Sequence, residues 1–143
     1  MKIKGKYLFV ILTTFSLFTF CKKEDSANPR INFLTSKTWK VTAYTVYPPV
    51  DAGNGIYYTD VYQYEFTDCL KNAEYYFYTE GTGKTHYSCF TFEDKFTWAF
   101  MENYTEIKYQ NVDYDILQLN ETTFQIRTNS EVYPIYTMTY TAN

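Results

Sequence analysis

From Ala73 onward the chain is a succession of short runs rich in Tyr, Phe, Thr, Ile and Val, each soon stopped by a turn signal. This rhythm constrains the fold more than any other feature. Aromatic and β-branched residues suit a pleated, half-buried surface, so the runs read as strands. They fall at Ala73–Thr79, Lys84–Ser88, Lys95–Met101, Thr105–Tyr109, Tyr114–Leu119, Thr122–Thr128 and Val132–Thr141. Pro134 would interrupt a ladder, so the last strand lies on an edge there or begins after it. Glu80-Gly81-Thr82-Gly83, Glu102-Asn103 and Asn120-Glu121 supply hairpin turns. Upstream, Trp39–Tyr47 reads as the opening strand, with Trp39, Val41 and Ala43 on one face. Pro48-Pro49 ends it, and Asp51 to Gly55 is turn chemistry. Ile56–Phe66 is either a strand or a long excursion, and Ile31–Leu34 reads as a short helical turn plugging one end.

Strands joined by short turns run antiparallel to their neighbours, and eight of them can close on themselves. The expected fold is therefore all-β, an eight-stranded antiparallel up-and-down β-barrel over residues 31–143. With Trp39 facing in, alternation places Val41, Tyr75, Phe77, Phe96, Trp98, Phe100, Leu117, Leu119, Phe124, Ile126, Tyr136, Met138 and Tyr140 in the interior with it. These are the candidate ligand-binding residues. Two readings stand side by side: they fill a small closed core, or they line a pocket. Tyr and Trp would give such a pocket apolar walls with polar tips, suited to a small apolar or carbohydrate ligand. A membrane-spanning barrel does not fit, because the strands are short and the outward positions Lys40, Thr42, Thr97, Gln125 and Arg127 are polar.

The first twenty residues have a different character. Lys2, Lys4 and Lys6 form a cationic start, and Tyr7 to Phe20 follow without a charge, too few to cross a bilayer, which takes about 20. Residues 1–20 read as a signal peptide. The segment resembles a bacterial lipoprotein signal, which would make Cys21 the site of lipid attachment and the new amino terminus, although Phe20 stands where such signals carry Gly, Ala or Ser. Cys21-Lys22-Lys23-Glu24-Asp25 is similar to the surface-export tag of Bacteroidetes lipoproteins. The resemblance implies an outer-membrane lipid anchor at the cell surface, and the two or three chains of a lipoprotein hold lastingly where one binds marginally. Residues 21–30, polar and aperiodic, read as the lipidated cysteine and a flexible tether.

Assigning Cys21 to lipid leaves Cys69 and Cys89 as a pair, and outside the cytosol they can form a disulfide closing a loop of about 20 residues. A metal site would need three or four ligands, yet only His86 is near and no C-x-x-C spacing exists. A nucleophilic cysteine would need a base, and a lone His in a strand is more often a surface residue. The formal charge is −3, and without the three leader lysines it is −6, which argues against a nucleic-acid partner. Asp113 and Asp115 stand two apart as a carboxylate pair would, but acids beside a turn are usually solvated. There is no phosphate loop or nucleophile elbow. The expectation is a non-enzyme without metal or cofactor.

The order of several motifs resembles the lipocalin-like domain of Bacteroidetes lipoproteins. They are Leu34-Thr35-Ser36-Lys37-Thr38-Trp39-Lys40, Asp68-Cys69-Leu70-Lys71-Asn72 with Tyr75-Tyr76-Phe77, Phe96-Thr97-Trp98, and Tyr114 through Phe124. The resemblance covers most of Leu34 to Tyr140. It departs from many lipocalins in carrying Lys37 where their G-x-W motif has glycine. It implies a barrel more than an activity. The function expected is a surface lipoprotein whose barrel binds a small apolar or carbohydrate ligand. The alternative is a closed-core barrel that contacts a protein or glycan through Tyr-rich loops, chiefly Ile56–Phe66.

Overall fold

The structure, a computed structural model, describes residues 28–128 and 134–143. The leader, Cys21 and most of the tether lie outside the described residues, as does Val132. The tether's last residues do not: Pro29–Thr35 is a short helix, α1, rather than part of a flexible segment. Pro29 suits a first helical turn because its missing N–H has no partner there anyway, and the Asn28 side chain accepts from Arg30 N at 3.0 Å.

Nine strands follow among the described residues: β1 (Thr38–Asp51), β2 (Tyr57–Asp60), β3 (Glu74–Phe77), β4 (Thr82–His86), β5 (Glu93–Met101), β6 (Glu106–Tyr109), β7 (Val112–Leu119), β8 (Thr123–Thr128) and β9 (Ile135–Ala142). Eight of them, all but β2, pair in sequence order, and β9 returns to β1 to close an antiparallel up-and-down barrel. The expected fold class is the observed one. The last strand begins after Pro134, which frees the ladder from a residue that cannot donate to it.

The turns follow from local chemistry. Gly81 has φ +80°, and a Cβ there would sit 2.9 Å from the Trp98 carbonyl oxygen. Gln110 and Asn111 both have positive φ, the conformation a two-residue hairpin turn requires. Asn120 Oδ1 accepts from Thr122 N and Thr123 N, both at 2.9 Å, and so holds the β7–β8 turn.

Ile56–Phe66, undecided between strand and excursion, is both. Tyr57 and Tyr58 pair with Asp51 and Val50 as β2, and Asp60 then caps α2 (Val61–Tyr64). A second short helix, α3 (Asp68–Lys71), leads into β3. Cys69 at α3 and Cys89 in the β4–β5 loop form a disulfide, with their Cα atoms 5.6 Å apart.

Two bulges correct the expected faces. In β1 the register shifts between Val41 and Ala43, so Thr42 is the extra residue. Beyond it Tyr44 and Val46, not Ala43, take the inward positions opposite Met138 and Tyr136. In β7 the register shifts between Ile116 and Gln118. Leu117, expected in the interior, is therefore displaced onto the outer wall and is 45% exposed, while Ile116 and Leu119 face in. The outer wall is otherwise polar, carrying the ion pairs Lys40–Glu74, Lys84–Glu93, Lys108–Asp113 and Arg127–Asp115.

Candidate functional site

The interior divides along the barrel axis. At one end lie α1, the β3–β4, β5–β6 and β7–β8 turns and the end of β9. Leu34 of α1 is fully buried there, and its carbonyl accepts from Trp39 Nε1 at 2.9 Å, so helix and barrel close on each other. Above this plug the rings interlock: Phe77 meets Phe96 at 5.1 Å, Trp98 at 5.9 Å and Phe124 at 5.8 Å, and Phe124 stacks on Tyr140 at 5.3 Å. Gly83 is required here because a Cβ would fall 2.2 Å from the Phe96 ring and 2.4 Å from the Tyr76 carbonyl oxygen. Val41, Leu119 and Ile126 fill the remaining inward positions. Of the interior residues expected from the sequence, these nine (Trp39, Val41, Phe77, Phe96, Trp98, Leu119, Phe124, Ile126 and Tyr140) are buried in one cluster. Phe100 is half-buried near the closed end, 5.1 Å from Tyr104.

At the other end are the β1–β3 excursion, the β4–β5 loop and the β6–β7 turn. Here the inward side chains are mostly tyrosines, and they are only half-buried: Tyr44, Tyr75, Tyr109, Tyr114 and Tyr136, with Met138 among them. Tyr44 packs on Tyr136 at 5.4 Å and on Phe66 of the excursion at 5.7 Å. Tyr109 lies 4.8 Å from Phe96 and 6.3 Å from Tyr114, and Tyr75 lies 5.3 Å from Tyr140. This half of the barrel is a mouth with polar-tipped aromatic walls.

The electrostatics record how far these hydroxyls are withdrawn from water. Burial, then the neighbouring Tyr114, Tyr136 and Glu65, pushes the Tyr44 hydroxyl up to about 12. Burial, then Tyr87, does the same to Tyr75, also to about 12. Tyr109 and Tyr140 are raised well above the ordinary range, chiefly by burial and then by the other tyrosines. Tyr114 rises through burial alone. Tyr87 is raised by burial and by the Asp94 carboxylate beside it. All of these hydroxyls are neutral near pH 7 and can both donate and accept.

The rim is aromatic as well. Tyr47, Ile56, Tyr57 and Tyr64 are exposed on the excursion side, and Phe90 and Phe92 stack at 5.0 Å in the β4–β5 loop. The disulfide joins the two sides. Two hollows lie elsewhere: a groove of about 770 Å³ on the outer wall over β4 and β5, and one of about 570 Å³ between α1 and the β5–β6 turn.

Strict alternation in Glu106-Ile107-Lys108-Tyr109 marks Ile107 and Tyr109 as inward, a signal that sequence reasoning passed over. Tyr44 was hidden by the Thr42 bulge. Asp113 and Asp115 do not form a site, since each faces outward and is paired, with Lys108 at 3.3 Å and Arg127 at 2.8 Å. His86 is exposed on the outside of β4. Among the described residues no group of three or more His, Cys, Asp or Glu could hold a metal ion, and no helix is long and apolar enough to cross a membrane. No protein-family model matches the chain, and no curated protein matches it.

Proposed function

We propose that this protein is a lipid-anchored surface lipoprotein with a lipocalin-like barrel that acts by binding, and that its ligand enters the tyrosine-lined mouth. One observation carries this reading: apart from Phe100, the inward-facing rings at the α1 end are buried, whereas those at the other end are half-buried. An aromatic pocket with neutral hydroxyl tips suits a small molecule that combines an apolar or sugar ring with polar substituents. Attachment at Cys21 fixes the orientation. With the lipid on Cys21, α1 is the end of the barrel nearest the anchor, so that end faces the membrane and the mouth opens outward. Native mass spectrometry of protein purified from its own host tests the ligand, with a reproducible small-molecule adduct expected. Repeated absence of any adduct contradicts the carrier reading. Metabolic labelling with a palmitate analogue tests the anchor, with Cys21 as the expected site.

The exposed rim favours a second reading, in which Tyr47, Tyr57, Tyr64, Phe90 and Phe92 contact a protein or glycan. A co-purifying macromolecule whose binding is lost on Phe90→Ser/Phe92→Ser but kept on Tyr109→Phe supports that alternative.

A further inference from the structure

The sign of charge that the mouth accepts is set by the strand registers. On the barrel strands the cationic side chains take outward positions: Lys40, Lys84, Lys95, Lys108 and Arg127, with His86 beside Lys84 in the same register. Asp94 is the one charged residue of inward parity among the described barrel positions. It alternates with the inward Phe96 and Trp98 and lies opposite Thr85, which itself is opposite Tyr75. Its carboxylate stands beside the Tyr87 hydroxyl at the rim. The mouth thus combines aromatic faces, whose π clouds are negative, with the Asp94 carboxylate on the barrel wall and Glu65 of the excursion near Tyr44, and among the described barrel positions no cation faces inward.

We infer that the mouth selects a small organic cation, an ammonium group on an apolar body, with Asp94 as its counter-charge and the faces of Tyr75, Tyr87 and Tyr109 as its walls. This rests on the reading of the mouth as the binding site and adds the chemical class. An incoming carboxylate would instead meet the like charge of Asp94 and the negative faces of the rings. The rim already holds such a contact: Lys71 Nζ of α3 lies 5.3 Å from the centre of the Tyr62 ring. That ammonium is on the excursion.

The test uses the mature protein carrying methyl-¹³C methionine. Met138 reports on the mouth, and Met101, exposed at the end of β5 near α1, is the internal control. Three probes of one shape are titrated to millimolar concentration: 2-phenylethylammonium, 2-phenylethanol and phenylacetate. The expected result is a saturable shift of Met138 but not Met101, with the amine binding about tenfold more tightly than the alcohol and phenylacetate not saturating. Asp94 is exposed and its replacement in Asp94→Asn is nearly isosteric, so the variant should keep the fold while removing the amine's advantage over the alcohol. Equal binding of amine and alcohol, binding of phenylacetate as tight as that of the amine, or an amine preference that survives Asp94→Asn overturns the charge assignment and leaves the mouth as a site. Silence of Met138 toward all three probes overturns both.

Discussion

The two ends of this barrel are both lined by aromatic side chains, yet one is packed shut and the other is not. At the α1 end Leu34 and Trp39 are sealed by a helix that the chain supplies before its first strand, and interlocked phenylalanines fill the space above. At the mouth the covering segment is the β1–β3 excursion, which reaches in with Tyr62 and Phe66 but leaves the tyrosines of β1, β3, β6 and β7 half-buried. The difference is one of composition: Phe, Leu and Ile carry no polar atom to satisfy, whereas each Tyr keeps a hydroxyl that needs a partner or water. Apolar packing is concentrated at the closed end and half-buried hydroxyls at the other.

That contrast can be broken by mutation. Phe124→Ala removes a ring touching Trp39, Phe77 and Tyr140, and should cost about 3–5 kcal/mol in urea unfolding. Removing the disulfide with Cys69→Ser/Cys89→Ser should cost about 3 kcal/mol on the chain-entropy estimate. Because the bridge joins α3 to the β4–β5 loop, hydrogen exchange should speed up at the mouth and stay slow in β7–β9. Gly83→Ala drives a methyl into Phe96 and should cost about 1–3 kcal/mol through overpacking. Tyr109→Phe at the mouth should change stability by less than about 1 kcal/mol, within the range of one ordinary hydrogen bond, while altering ligand affinity.

High pH sharpens the same comparison. The folded state holds Tyr44 and Tyr75 near 12, above the value of 10 that they take when unfolded. Protonated tyrosine is the form that the fold accommodates. Stability is therefore fully present below pH 10 and is lost as pH rises toward about 12. Unfolding followed by circular dichroism should coincide with the late part of the tyrosinate absorbance change, and Tyr44→Phe/Tyr75→Phe should make the decline shallower.

Much of the barrel could be read from the chain because strand period, turn residues and antiparallel pairing all point one way between Ala73 and Leu119. Cys69 and Cys89 were paired from their number alone once Cys21 was set aside. β1 runs through Pro48-Pro49 to Asp51 instead of ending there, and the errors in facing are local and have one cause. A bulge adds a residue without changing composition, so Thr42 and Leu117 look like ordinary strand positions while reversing the face of the residues beyond them. That reversal hid Tyr44 and misplaced Leu117. Nine of the fourteen interior residues form the sealed core, and Tyr75, Tyr136 and Met138 belong to the mouth. Alternation distinguishes in from out, but not a closed level of the barrel from an open one. That depends on which loop covers which end.

The most direct test of the central claim is hydroxyl-radical footprinting of the folded protein, read residue by residue by mass spectrometry. If the barrel is sealed at α1 and accessible at the mouth, Tyr44, Tyr75, Tyr109, Tyr114 and Met138 will be oxidised readily while Trp39, Phe77 and Phe124 stay protected. Uniform protection of both groups would show a barrel filled from end to end and would contradict the account.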